Sequence, residues 1–219
     1  GGGGLVIEPT KTDMIRSQRS KTMAKQSELA SHQTIISESY MTSSLSIIVV
    51  GASGDLAKKK TYPALLDLFS HGHLPRGENL NIIGVARSNM TDNELRERLK
   101  PFLLKVADVD EDIVDDFLSR CKYRAMKSYE DRDAMGLVSQ ELEVLEAQHA
   151  SKVANRLYYF AIPPNVFLST AATIKACGES KTGFTRLIVE KPFGRDLESA
   201  AELATNLSNI FPEVVPCDI

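Results

Sequence analysis

The sequence predicts an α/β fold built on a doubly wound parallel sheet. Three observations predict it. From Leu45 onward, short apolar runs alternate with stretches whose apolar residues recur at helical spacing. That alternation marks strands covered by helices on both faces. The turn Gly51-Ala52-Ser53-Gly54 follows the first apolar run directly, where a doubly wound fold places its phosphate loop. The 219 residues carry 26 Lys and Arg against 29 Asp and Glu, a formal net charge of −3. A weakly acidic balance suits a globular protein and argues against a dedicated nucleic-acid binder, which normally carries a basic excess. No apolar run reaches the roughly 18 residues of a membrane span, and no basic stretch leads into a signal-peptide core. Cys121, Cys177 and Cys217 form no CxxC pair, so neither a zinc site nor a disulfide framework is expected. Plain thiols fit a reducing compartment.

Residues 1–44 are rich in Ser and Thr and open on four glycines. Such a stretch cannot bury enough surface to offset the entropy of ordering, so a disordered tail is expected. Arg16, Arg19, Lys21 and Lys25 would suit a transit peptide, whereas Glu8, Asp13, Glu28 and Glu38 count against one. The expected compartment is the cytoplasm, with organellar targeting by this tail left open.

Leu45–Val50 is an apolar run ending in glycine and reads as a strand buried on both faces. Tyr62, Leu65, Leu66 and Phe69 fall on one helical face. Pro63 is tolerated only in a first turn, so the helix should be irregular before Thr61. Leu80–Val85 is the second strand. Thr91-Asp92-Asn93-Glu94 is a capping box, opening a helix with Leu95, Leu99, Phe102 and Leu103 inward and a kink at Pro101. Asp110–Leu118 is a further helix with acidic residues early, where the dipole favours them. Cys121–Met126 is a weak third strand. A long polar helix follows over 131–150, with Met135, Val138, Leu142 and Leu145 inward. Arg156–Ile162 is the fourth strand, stopped by Pro163-Pro164, and a helix over Val166–Cys177 comes next. Thr185–Val189 is the fifth strand, and Asp196 caps a helix carrying Leu197, Ala200, Ala201, Ala204 and Leu207.

The glycine turn suggests an anion site. Gly51 can adopt turn conformations closed to other residues. Gly54 lets a pyrophosphate approach the backbone, and the first amides of the following helix point at it. Lys60 could add a point charge. The turn is not a Walker loop, because Leu56 stands where its second Gly belongs, and Ser53 departs from GxGxxG. The plainer alternative is a strand-to-helix turn followed by solvated lysines. At the end of the second strand, NAD-preferring proteins place an acidic residue; here Arg87 suits the 2′-phosphate of NADP. Lys191 stands at the carboxyl end of the fifth strand, where such folds bind ligands.

Gly51-Ala52-Ser53-Gly54-Asp55-Leu56-Ala57-Lys58-Lys59-Lys60 and Glu190-Lys191-Pro192-Phe193-Gly194, with Gly84-Val85-Ala86-Arg87-Ser88 and Tyr159-Phe160-Ala161-Ile162-Pro163-Pro164, resemble the glucose-6-phosphate dehydrogenase family. The likeness runs from about Ser46 to Glu213 in the family's order. It implies a Rossmann-like coenzyme domain over 45–213, with 214–219 as an off-family tail and without the family's later strand or strands and second α+β domain. It also implies oxidation of glucose 6-phosphate at C1 to the lactone, the first step of the pentose phosphate pathway, with hydride passed to NADP. Gly51, Ser53, Gly54, Asp55, Leu56 and Lys60 match the coenzyme loop, and Ala161, Ile162 and Pro163 match coenzyme contacts at the end of the fourth strand. Arg87 matches the 2′-phosphate ligand. Lys191 matches the lysine between coenzyme and sugar phosphate, and Pro192 a proline that is typically cis. The family forms dimers or tetramers.

Two departures stand out. Phe167 occupies a position where the family often has Tyr, keeping the packing but not a hydrogen bond. After Glu213 the sequence does not carry the family's Arg-Ile-Asp-His-Tyr-Leu-Gly-Lys run, nor the later Asp–His pair whose His takes the C1 hydroxyl proton. The 219 residues alone are therefore expected to bind coenzyme without turning over substrate, and to contain no catalytic residue. A glucose–fructose-type oxidoreductase also carries Glu-Lys-Pro but normally keeps GxGxxG. A non-catalytic nucleotide- or partner-binding product is the alternative from another class. His71 and His73 flank Gly72 with no third ligand in view, so no metal is expected.

Overall fold

The computed structural model describes residues 42–190, 197–212 and 214–217. Most of the expected tail, up to residue 41, lies outside them, as do Lys191, Pro192, Asp196, Glu213, Asp218 and Ile219. The sheet is six-stranded in the order β3-β2-β1-β4-β5-β6. Its strands are Ser44–Val50 (β1), Leu80–Ala86 (β2), Cys121–Ala125 (β3), Ala154–Phe160 (β4), Thr185–Glu190 (β5) and Val214–Cys217 (β6). Every pairing is parallel. The order turns back at β1 and β4, the topological switch point of a doubly wound fold.

β1 is buried along its whole length, and its alternate residues feed two cores. Leu45, Ile47 and Val49 pack with α1 (Tyr62–Ser70), α2 (Asp92–Leu103) and α3 (Glu111–Ser119) on one face. Ile48 and Val50 pack with α4 (Arg132–Ala147), α5 (Phe167–Cys177) and α6 (Leu197–Ile210) on the other. The capping box of α2 forms as the sequence predicts: the Glu94 amide donates to Thr91 Oγ1 at 3.2 Å, and the Thr91 amide donates back to Glu94 Oε2 at 2.7 Å. α2 runs through Pro101 and ends two residues later.

Three differences from the sequence reading have physical causes. β4 begins and ends two residues early, because Val50 is the last β1 residue and pairs with Phe160. Residues 214–217, assigned above to an off-family tail, form β6 beside β5. Two valines before Pro216 make too short an apolar run to read as a strand, and an edge position tolerates that proline. In α4, Glu146 rather than Leu145 is buried. The reason is Arg156 on β4, fully buried, which donates to Glu146 Oε1 and Oε2 at 2.9 and 2.8 Å and to Ser139 Oγ at 2.8 Å. Ser46 Oγ donates to the same carboxylate at 2.9 Å.

Candidate functional site

At the carboxyl end of β1 the chain turns through Gly51 with φ +91°. The Gly51 and Ala52 amides donate to the Val85 carbonyl at 2.8 and 3.2 Å, and the Ala161 amide donates to the Val50 carbonyl at 2.8 Å. These bonds pin the turn between the ends of β2 and β4. A Cβ on Gly51 would collide with the Ala161 carbonyl and stand 2.7 Å from Ile162 Cγ2. Only glycine permits both that φ and that approach. Gly54 donates back to the Gly51 carbonyl at 2.9 Å. Helix begins at Asp55, so its first-turn amides, which lack intrahelical acceptors, and the positive end of its dipole face the crevice beyond the sheet.

Residues Ala57–Thr61 form a π turn leading into α1, closed by the Tyr62 amide on the Ala57 carbonyl. Pro63 follows without an N–H. The wider turn supplies the irregularity expected before Thr61 and relieves the clash its ring would make in a regular helix. Asp55 pairs with Lys58 at 2.6 Å and Lys59 at 2.7 Å. Hydrogen bonds from those two lysines hold its carboxyl down at about 2. With its charge so neutralised, Asp55 offers an anion its backbone amide rather than a repulsive carboxylate. Leu56 is half-buried, and Lys60 points to solvent.

At the end of β2, Arg87 is exposed and its guanidinium lies 5.5 Å from the centre of the Tyr129 ring, a cation–π distance. Beside it, Ser53 Oγ and Ser88 Oγ are 3.2 Å apart. The Tyr123 hydroxyl donates to the Ser88 carbonyl at 2.6 Å. Burial raises the pKa of Tyr123, opposed by its hydrogen bond with Ser53 and by the charge of Arg98. A cleft of about 320 Å³ opens next to this hydroxyl cluster. Ser53, Lys58 and Arg98 give it polar walls, while Met90, Leu99 and Phe102 line it with apolar surface.

Thus the turn Gly51, Ser53, Gly54, Asp55 and Leu56 meets Ala161 and Ile162 at the switch point, with Pro163 next in the chain and Arg87 at the neighbouring strand end. Lys58, not Lys60, lines the cleft. Lys191 lies outside the described residues. Phe167 is buried against Phe160, ring centres 5.3 Å apart, where a hydroxyl would need a partner. Sequence reasoning missed Lys58, Ser88, Arg98, Tyr123 and Tyr129. Only Ser88, adjacent to Arg87, carried a local signal. His71 and His73 stack at 6.4 Å on the loop after α1, and the His149 ring bonds the Glu78 carbonyl.

A parallel sheet in this order, with a glycine turn and helix start at its switch point, defines a dinucleotide-binding fold of the doubly wound class. Residues 48–215 match the family model described as glucose-6-phosphate dehydrogenase, NAD binding domain, and the chain belongs to the glucose-6-phosphate dehydrogenase family. It is 42% identical over 174 residues to the chloroplastic glucose-6-phosphate 1-dehydrogenase 1 of Arabidopsis thaliana, covering 78% of this chain and 29% of that one. With the Kluyveromyces lactis enzyme it shares 40% over 168 residues, 76% of this chain and 33% of the relative. A solved glucose-6-phosphate dehydrogenase in complex with its substrate glucose-6-phosphate superposes with a TM-score of 0.73 at 38% identity, over 80% of this chain and 36% of that one. The chain therefore spans about a third of the length of the relatives it matches. Among the described residues no helix is long and apolar enough to cross a membrane.

Proposed function

We propose that this chain is the coenzyme-binding part of an NADP-dependent glucose-6-phosphate dehydrogenase. The observation that carries the choice of coenzyme is the end of β2. An exposed Arg87 beside the Tyr129 ring, next to the Ser53–Ser88 hydroxyl pair, suits a 2′-phosphate. An acidic residue there would repel one. In this reading the turn amides after Gly51 and the helix start at Asp55 hold the pyrophosphate. Arg87 and Tyr129 flank the adenine end. Ala161, Ile162 and Pro163 wall the nicotinamide side, and the family resemblance assigns Lys191, next in sequence after β5, a role toward coenzyme and sugar phosphate.

NADP supplies the hydride acceptor for C1 of glucose 6-phosphate, and a base must take the C1 hydroxyl proton. Among the described residues, His71, His73 and His149 all sit on connections at the amino end of the sheet, after α1 and α4. The described part accordingly serves the coenzyme half of the reaction. Thermal unfolding with NADP+ tests this. At about 100 times its dissociation constant, NADP+ should stabilise the chain by about 2.7 kcal/mol, with a smaller gain from NAD+ at equal concentration. An unchanged melting temperature contradicts the proposal.

A further inference from the structure

We infer that Arg98 is a second specificity-determining residue for the coenzyme, reaching across the cleft beside Ser53 to the 2′-phosphate and sharing its recognition with Arg87. This deepens the coenzyme reading above and rests on it.

Four observations lead there. Arg98 lines the same cleft as Ser53, and Ser53 is 3.2 Å from Ser88, the residue after Arg87. The cleft therefore opens beside the hydroxyls that a 2′-phosphate would meet. Next, Arg98 forms no ion pair with a carboxylate among the described residues; the Glu94 carboxyl is held down chiefly by its bonds with Thr91 and only secondarily by the charge of Arg98. Glu94, one turn earlier, has Oε2 tied to the Thr91 amide and hydroxyl at 2.7 and 3.0 Å. Neighbouring cations are engaged. Lys58 and Lys59 hold Asp55, and Arg124 holds Glu141 at 2.6 Å and Asp92 at 2.8 Å. Finally, the charge of Arg98 is felt at the Tyr123 hydroxyl, which bonds the Ser88 carbonyl.

The position of Arg98 is also well anchored. It stands in the second turn of α2, whose start is fixed by a complete capping box, and Leu95 and Leu99 beside it are buried. Arg98 lines the cleft together with Leu99 and Phe102, and a guanidinium free of an ion pair has its planar fork available for a doubly charged phosphate, which Arg meets with two parallel bonds. Lys58, compensated by Asp55, is left to contact the less charged parts of a ligand.

The test compares 2′,5′-ADP with 5′-AMP, which differ only in the 2′-phosphate, by calorimetric titration of the full 219-residue chain. Arg98→Gln should weaken 2′,5′-ADP about tenfold, equivalent to about 1.4 kcal/mol, and leave 5′-AMP within about twofold. Arg98→Lys should recover part of the loss. Arg98 is exposed, so the melting temperature without ligand should stay unchanged. An unaltered 2′,5′-ADP to 5′-AMP ratio in Arg98→Gln, with the parent chain binding both, overturns this inference and leaves the coenzyme reading intact. Equal loss of both ligands also overturns it. No binding of 2′,5′-ADP by the parent chain overturns both.

Discussion

At the amino end of the sheet, Arg156 is fully buried and donates to Glu146, Ser139 and the carbonyls of Gly178 and Glu179. At the carboxyl end, Arg87 and Arg98 stand exposed, and among the described residues neither is recorded in an ion pair with a carboxylate. The same side chain thus serves opposite purposes in one sheet. Around Arg156 every partner is supplied by the chain, and the network ties β1, β4 and α4 together. Burial works against its charge, but the hydrogen bonds and charge of Glu146 more than offset that and leave its pKa raised. Around the glycine turn, the amides, hydroxyls and guanidinia keep capacity for something outside the chain. Where polar groups are saturated they specify the fold; where they are left open they specify a ligand.

The sharpest way to break this contrast is at the saturated end. Glu146→Ala strands a buried guanidinium, and breaking such a pair costs about 3–5 kcal/mol. Urea unfolding should show that loss, while the fraction that remains folded keeps its affinity for coenzyme. A cost below about 1 kcal/mol would mean that the network is not what holds the amino end. A smaller effect is expected at the turn. Gly51→Ala forces a side chain into left-handed backbone and against the Ala161 carbonyl, costing about 1–3 kcal/mol in strain. Here the larger change should be in coenzyme affinity, read by titration. Stability lost with affinity unchanged would detach the turn from binding.

Alkaline pH probes the buried groups: Cys121 and Tyr158 in the sheet, and Tyr62, whose hydroxyl lies beneath the glycine turn near Ala52 and Gly84. Burial pushes the Cys121 thiol up to about 12 and also raises Tyr62 and Tyr158. In the unfolded chain these groups ionise from their ordinary values of 9.0 and 10.0. Folded pKa values above unfolded ones mean that their contribution is complete below pH 9 and is lost as pH rises toward 12. The loss is about 1.4 kcal/mol per pH unit for each group once its unfolded form ionises. Denaturant midpoints should therefore fall from pH 9 upward, less steeply in Cys121→Ala. A flat profile between pH 9 and 11 would contradict the burial of these groups.

Much of the fold was readable because it rests on local chemistry. The apolar run of β1, the Thr91–Glu94 box and the Tyr62–Phe69 face each declare themselves within a few residues. β6 did not, since Pro216 interrupts a run of only two valines. The inward turn of Glu146 depends on Arg156, a residue on another element, and no periodicity foretells it. The site divides the same way. Gly51, Ser53 and Gly54 follow from a strand ending in a turn, and Arg87 from a strand end. Lys58 and Lys60 stand in an unbroken lysine run, and the π turn determines which one lines the cleft. Arg98 and Tyr129 gain their meaning only when α2 and the segment after β3 are folded beside β2.

If the open, carboxyl end of the sheet is an NADP site, it must distinguish NADP+ from NAD+ in solution. Equilibrium titration of the 219-residue chain with NADP+ and with NAD+, in the same buffer, tests it most directly. Saturable binding of one NADP+ per chain is expected, at least about tenfold tighter than NAD+, a difference of about 1.4 kcal/mol. Equal affinities, or no saturable binding of NADP+, would contradict it.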